Sequence, residues 1–286
     1  EKAQDMQTKV LEVMAKGFEK FQSRISQEET LFAVLAANTT MLYLLLGFDA
    51  KELGEYPFRA SHLEGIRREI AGVETITFPG LSAFVGGDIT AGVYACGMAE
   101  RPGNTLFIDL GTNGELALGN RERLFGCGTA AGPAFEGGVN RGVWGSDMLA
   151  ILARLRREGI MDETGLLSDK SFDSGIRIGD VLVTQESIRT VQLAKAAIAA
   201  GVQILLDKAK LVWEEVESVI LAGGFGYYLN PEDALELGLF GKASSDTTWQ
   251  KTMLHKIKSG GNTALAGAYR LGAELLSGEQ GGSDIR

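Results

Sequence analysis

Residues 105 to 119, TLFIDLGTNGELALG, constrain the fold more than any other stretch of the chain. An apolar run meets Asp109, the turn Gly111-Thr112-Asn113-Gly114 follows, and Glu115 opens a second apolar run that ends at Gly119. The pattern predicts strand, tight turn, strand, with Asp109 where the first strand ends. Gly111 and Gly114 allow positive φ and a close approach of ligand to backbone. Thr112 and Asn113 supply a hydroxyl and an amide that can bond phosphate oxygens. A carboxylate beside such a turn can hold Mg²⁺, directly or through water. The same residues also suit an ordinary hairpin closed by an Asn-Gly turn, so this segment sets local structure and leaves its chemistry open.

The 286 residues suffice for a large core and for two lobes. A content of 45% hydrophobic and 23% charged residues is that of a soluble globular protein. The formal charge of -9 offers no excess of cations to neutralise phosphates, which argues against nucleic acid as the main partner. With 38 glycines and only 5 prolines, many tight turns are expected. Cys96 and Cys127 are the only cysteines and show no CxxC spacing; His62 and His255 are the only histidines. A structural zinc or an iron–sulfur cluster normally takes four such ligands. Two reduced thiols in a cytoplasmic protein without a signal peptide are expected. The longest apolar run, Met41 to Phe48, is too short to span a bilayer. A start at Glu1 suggests a fragment of a longer protein.

Periodicity predicts a helix over 7–24, a buried strand over 31–36, and a short helical stretch after Asn38-Thr39-Thr40. VETITF and LSAFVGG lead to Gly86-Gly87-Asp88 and a small-residue helix from Ile89 to Met98, whose N-terminus would face whatever the loop binds. Residues 126–133 are read as a Gly/Ala loop, 145–157 as a helix, and 159–183 as a polar, loop-rich excursion. The strongest helical signal runs from Thr184, a fitting N-cap, to Val212. It is long enough to span two lobes. Val219 to Ala222 reads as a strand running into Gly223-Gly224-Phe225-Gly226, the position where open α/β sheets place ligands. Asn230 and Pro231 start a further helix, and Ala264 to Leu276 forms the last one before a tail expected to be disordered.

The glycine turns match neither a Rossmann fingerprint nor a P-loop. DLGTNGE, GTAAGP and LAGGFG each follow an apolar strand, and backbone amides in such turns bind anions without basic residues. IDLGTNGELALGN, CGTAAGPAFEGG, FVGGDITAG, LAGGFGYYLNPEDALELGL and GNTALAGA resemble the ATP-binding part of the reductive activators of corrinoid proteins. The resemblance runs from about Asn38 to Leu271. It implies the α/β, two-lobed fold of acetate kinase, actin and the sugar kinases, built from RNase H-like subdomains with ATP in the cleft between lobes. It also implies ATP-dependent reduction of a Co(II) corrinoid to Co(I).

By the resemblance, Asp109, Gly111, Thr112, Asn113 and Gly114 form the phosphate hairpin, and Gly223, Gly224, Phe225 and Gly226 the adenosine loop. Gly128, Thr129 and Gly132, within the stretch to Pro133, line the site beside the phosphates. Gly86, Gly87 and Asp88 flank it from the first lobe, where Asn38-Thr39-Thr40 match a strand-end motif. Asp109 and Asp88 are the expected catalytic and Mg²⁺ residues; Glu115 and Glu136 suit structure as well as catalysis. Expected boundaries are a partial first lobe over 1–103, a second lobe over 104–260, a helix packing back between lobes over 261–277, and the tail over 278–286. Two departures stand out: the CxxxxCxxC pattern of the family's N-terminal [2Fe–2S] domain is missing, as is an earlier Asp-x-Gly-Thr hairpin. The first lobe is therefore expected to be incomplete. The redox cluster is expected only in the parent protein. The expected partner is a corrinoid protein, either a corrinoid iron–sulfur protein or a methyltransferase subunit, and a homodimer is expected. A small-molecule kinase of the same fold, with Asp88 as base, and a non-catalytic nucleotide-dependent module remain open.

Overall fold

The computed structural model describes residues 2–26, 31–111, 113–132, 145–241 and 247–278. Its contacts divide the chain into two compact units: Glu1–Gly97 with Thr263–Arg286, and Met98–Asn262.

The first unit contains α1 (Lys2–Gln22), β1 (Phe32–Leu35), α2 (Thr39–Leu46), α3 (Lys51–Gly54), β2 (Arg67–Ile70), β3 (Val73–Thr77), α4 (Gly87–Ala95) and the C-terminal helix Thr263–Ser277. Its three strands lie in the order β1-β3-β2, with β1 parallel and β2 antiparallel to β3. The Asn38 side chain caps α2 by accepting from the Met41 N–H at 2.8 Å, and Gly47 ends the helix at φ 76°. Leu11 and Met14 of α1 pack on Leu42, Leu45 and Leu46 of α2.

The C-terminal helix crosses α4 at close range. A Cβ on Gly267 would overlap the Ala91 carbonyl oxygen and lie 2.6 Å from the Ala91 carbonyl carbon, so only glycine permits this approach. Polar clamps hold the crossing. The Tyr94 hydroxyl donates to the Glu274 carboxylate. Arg270 donates to Glu274 (2.9 Å) and to the Tyr94 carbonyl (2.9 Å), with its guanidinium 4.6 Å from the Tyr94 ring centroid.

The second unit contains β4 (Asn104–Leu110), β5 (Gly114–Gly119), β6 (Leu124–Thr129), α5 (Gly145–Arg157), α6 (Asp169–Phe172), β7 (Ile176–Ile178), β8 (Val181–Val183), α7 (Gln185–Ala209), β9 (Val216–Ala222), α8 (Gly223–Gly226), α9 (Pro231–Glu236), α10 (Thr247–Lys256) and β10 (Ile257–Gly261). The main sheet has the order β10-β9-β4-β5-β6. The strands β4, β5 and β6 form an antiparallel meander, and β9 and β10 add in parallel beyond β4. This is the order expected of an RNase H-like lobe. One face of the sheet, with Leu106, Ile108, Leu110, Leu116, Leu118, Val219 and Leu221, shares a core with Ile188, Val191, Ala194, Ile198, Val202 and Leu205 of α7.

Thr184 caps α7 in a reciprocal capping box with Ser187. The helix is long and apolar enough to cross a membrane by length and composition. Its apolar stripe is instead buried on the sheet, and the whole helix lies inside the second unit rather than running between two. Gly201 brings it close: a Cβ there would stand 2.6 Å from Thr129 Cγ2 and 2.7 Å from Leu116 Cδ1.

Two expectations change. Residues 126–129, read as loop, complete edge strand β6, because Cys127 and Thr129 alternate with glycines and add their ladder to β5. The excursion over 159–183 holds the helix α6 and the hairpin β7–β8. The expected disordered tail lies outside the described residues, apart from its first residue, Gly278.

Adding a methyl at the helix crossing should force the C-terminal helix off α4. Gly267→Ala is expected to lower stability by roughly 1–3 kcal/mol, the usual cost of overpacking, read as an earlier midpoint in urea denaturation.

Candidate functional site

The β4–β5 hairpin positions the first group of residues. Asp109 lies opposite Glu115 across the antiparallel pair and opposite Ala222 across the parallel one, and Glu115 lies opposite Gly128. Opposed residues project to the same side of a sheet. Ala222, Asp109, Glu115 and Gly128 therefore form one row, two adjacent carboxylates flanked by a methyl group and a bare backbone. Like charges directly opposite each other are unfavourable. Both acids are partly buried.

At the turn, the Gly111 N–H donates to the Asn113 carbonyl at 3.0 Å. Asn113 is exposed. Thr112, Pro133 and Glu136 lie outside the described residues. Neither Gly111 nor Gly114 has positive φ. Gly114 is required by space, since a Cβ there would lie 2.7 Å from Thr129 Oγ1. That Thr129 hydroxyl is buried and donates to the Gly114 carbonyl at 2.8 Å. Thr129 thus braces the hairpin, while Gly132 follows in the chain at φ 71°.

The end of β9 comes to the same place. Gly223 has φ 82°, and a Cβ on it would overlap Asp109 Oδ1 and fall 2.5 Å from the Leu110 carbonyl oxygen. The Gly223 backbone therefore rests directly on the end of β4 beside the carboxylate. Gly224 is open, with no atom within 4 Å of where a Cβ would sit, whereas Phe225 is 7% exposed and belongs to the core. The expected adenosine loop is in fact one helical turn, α8, anchored by Phe225. Sequence reading assigned Phe225 to ligand; its side chain instead fixes the turn that presents Gly223 and Gly224.

In the first unit, taken by itself, the two expected motifs meet. A Cβ on Gly86 would lie 2.5 Å from the Thr39 nitrogen and 2.6 Å from Asn38 Cα; one on Gly87 would lie 2.7 Å from the Phe78 carbonyl oxygen. The Asp88 N–H donates to the Ala37 carbonyl at 3.1 Å, and the Asp88 carboxylate accepts from the Ile89 N–H at 2.9 Å. Burial pushes the Asp88 carboxyl above its ordinary value, with the backbone donors of Ile89 and Asp88 opposing the shift.

Glu115, which the sequence left open between structure and catalysis, stands directly opposite Asp109. Its place opposite Asp109 follows from the hairpin alone, because the two acids stand equally far from Thr112 at the centre of the turn.

Comparisons with known proteins bear on the family and the fold. The model of the C-terminal domain of RACo, the ASKHA domain, matches residues 103–141 and 139–274. The chain belongs to this RACo family. The model of the RACo middle region matches residues 1–101. The corrinoid activation enzyme RamQ of Eubacterium limosum is 28% identical, covering 90% of this chain and 52% of its own length. A [Co(II) methylated amine-specific corrinoid protein] reductase of Methanosarcina barkeri is 23% identical over 75% of this chain and 47% of its own. A solved reductive activator for corrinoid, iron-sulfur protein superposes with a TM-score of 0.73 at 29% identity, covering 96% of this chain and 53% of that one. The chain spans about half the length of these relatives. The ASKHA fold expected from the sequence motifs is the fold of the family.

Gly223→Ala should push the β9 turn off Asp109 and weaken any ligand held there without unfolding the sheet, measurable as lost binding with a retained circular dichroism spectrum. For Asp88, a raised folded pKa means that the folded state binds the proton more tightly than the unfolded chain. Its contribution to stability is therefore present at low pH and lost as pH rises from about 4 through the raised value. Asp88→Asn should flatten that decline in melting temperature, and an unchanged pH profile would contradict it.

Proposed function

We propose that this chain is the nucleotide-binding part of a reductive activator of corrinoid proteins, and that it couples ATP to reduction of a Co(II) corrinoid to Co(I). The observation that carries the reading is the packing of Gly223 on Asp109, which sets the β9 turn and the β4–β5 hairpin around one carboxylate.

The donor set fits Mg²⁺ held together with a nucleotide. Mg²⁺ takes one or two carboxylates and completes its shell with water and substrate phosphates. Asp109 with Glu115 beside it offers that number. Among the described residues no group of three or more His, Cys, Asp and Glu is placed to hold a metal alone. When bound, the ion would neutralise phosphate charge. Asp109 would hold it, Asn113 and the backbone of Gly114, Gly223 and Gly224 would orient the phosphates, and Thr112 would add its hydroxyl.

The chain's two cysteines are too few for a four-thiolate cluster. Electrons would come from outside these residues, by way of a [2Fe–2S] centre elsewhere in the parent protein. ATP drives an unfavourable reduction only if it binds two states of the activator–corrinoid complex unequally, because a ligand shifts an equilibrium by its differential affinity.

Calorimetric titration with a non-hydrolysable ATP analogue and Mg²⁺ tests the reading. The chain should bind, and Asp109→Ala should weaken binding by tenfold or more, about 1.4 kcal/mol. In the full-length activator the same change should abolish ATP-dependent appearance of Co(I) absorbance. An intact signal in the variant overturns the assignment.

A further inference from the structure

The second unit carries a cavity that the proposed nucleotide site does not use. It lies at the opposite end of β9 from Gly223, where the turn Trp213–Glu215 leads into the strand and α10 runs past it. The length of β9 separates the two places by about 20 Å at the usual strand rise. Both walls are fixed. In the turn, the Val212 N–H donates to the Glu215 carboxylate at 2.9 Å and the Glu215 N–H to the Val212 carbonyl at 3.0 Å. Lys256, at the end of α10, ties the helix to that turn: its ammonium donates to the Val216 carbonyl at 2.6 Å and to the Glu214 carbonyl at 3.4 Å. Trp249 of α10 is 7% exposed and belongs to the core, and the half-buried Trp213 packs against that core from the turn. The two indoles meet edge to face, with centroids 5.7 Å apart and planes at 80°.

The cavity between these walls measures about 250 Å³. About 150 Å³ is enough to take benzene, so the space admits a substituted ring. The lining sorts the candidates. Two indoles and the Met253 thioether favour a flat, polarisable group. Aromatic faces alone would serve a neutral ring and an organic cation alike. Lys256 decides the sign, because it lines the same space with a positive charge. An ammonium has three donors. Among the described residues two carbonyls take two of them, which leaves the third for a ligand oxygen. Glu214 is the one carboxylate among the described lining residues. It is exposed, so water screens it, whereas Lys256 is half-buried and screened less.

We infer that this cavity is a binding site for a small aromatic acid, with its ring against the Trp213 indole and its carboxylate on Lys256. The site stands apart from the Asp109 hairpin and does not depend on the nucleotide reading. The ring gains the burial and the edge and face contacts that the paired indoles offer. The carboxylate gains a charge-assisted hydrogen bond from an ammonium that is already held in place by backbone, so little side-chain freedom is lost on binding. An uncharged ring of the same size forgoes that bond, and a cationic one meets like charge.

The test titrates the full chain calorimetrically with three probes that share one ring system: 2-naphthoate, 2-naphthylmethanol and 2-naphthylmethylamine. The acid should bind, roughly tenfold more tightly than the alcohol, and the amine most weakly. Trp213→Ala should weaken the acid by about five- to tenfold, while Trp213→Phe keeps most of the affinity. Lys256→Gln should erase the preference for acid over alcohol. Thr252 is exposed on the face of α10 that lines the cavity, so Thr252→Phe fills the space from the solvent side and should abolish binding with a retained circular dichroism spectrum. Failure of the unaltered, folded chain to bind the acid overturns the inference, as does equal binding of acid and alcohol or tighter binding of the amine. Parent-like affinity for the acid in both folded Trp213→Ala and Thr252→Phe overturns the location. Displacement of the acid by a non-hydrolysable ATP analogue with Mg²⁺ also overturns it, since the acid would then occupy the nucleotide site; an acid bound equally well beside the analogue supports two separate sites.

Discussion

The contact between Gly223 and Asp109 holds the second unit's candidate site together. Two parallel strands, β4 and β9, end side by side, and each is followed by a glycine-rich turn. Parallel neighbours send their chain continuations off the same edge of the sheet, which is why open α/β sheets gather ligands there. That edge becomes a site only if the two turns can share space. At φ 82°, with a methyl group's room taken by Asp109 Oδ1 and the Leu110 backbone, Gly223 is the one residue that lets them do so. Phe225 then locks the turn into the core, and Thr129 locks the hairpin by bonding the Gly114 carbonyl. The polar edge is rigid because apolar and buried groups behind it are.

A second consequence concerns charge. The chain is acidic, with a formal charge of -9, and the row at the sheet edge adds two adjacent carboxylates where a basic residue would be expected for binding phosphate. Such a row repels a bare polyphosphate. It becomes favourable when a divalent cation arrives with the phosphates, since the ion is then the largest local charge and inverts the balance. Backbone amides supply the remaining donors at no cost in net charge. On the function proposed above, such a row would suit the metal complex of a nucleotide better than the free anion.

Most of this was legible in the sequence where local rules act. The helix over 145–157, the Thr184 cap, the strand before Gly223 and the β4–β5 hairpin follow from periodicity, capping chemistry and turn residues, and each stands in the structure where those rules put it. What was not legible depends on tertiary neighbours. Gly126 and Gly128 looked like loop residues because glycine is poor in isolated strands, yet β5 supplies a ladder that overrides the preference. Gly114 read as freedom of φ, whereas it answers to crowding by Thr129; Gly267, at the helix crossing, answers in the same way to Ala91. Phe225 was placed in the adenosine loop by the resemblance; only the core cluster reveals where the ring goes. The Asp109–Glu115 pair is intermediate, implicit in the hairpin register and visible once the turn is centred.

The two units also differ in how they treat their acids. Asp109 stands at a strand end with a second carboxylate opposite it across the ladder. Asp88 stands in the first turn of α4, where the helix N-terminus and the Ile89 N–H favour its charged form, yet burial outweighs them and raises its pKa. A carboxyl held in that balance changes protonation with small changes in its surroundings. The two acids are thus set by different neighbours, Asp109 by the carboxylate across the ladder and Asp88 by its burial.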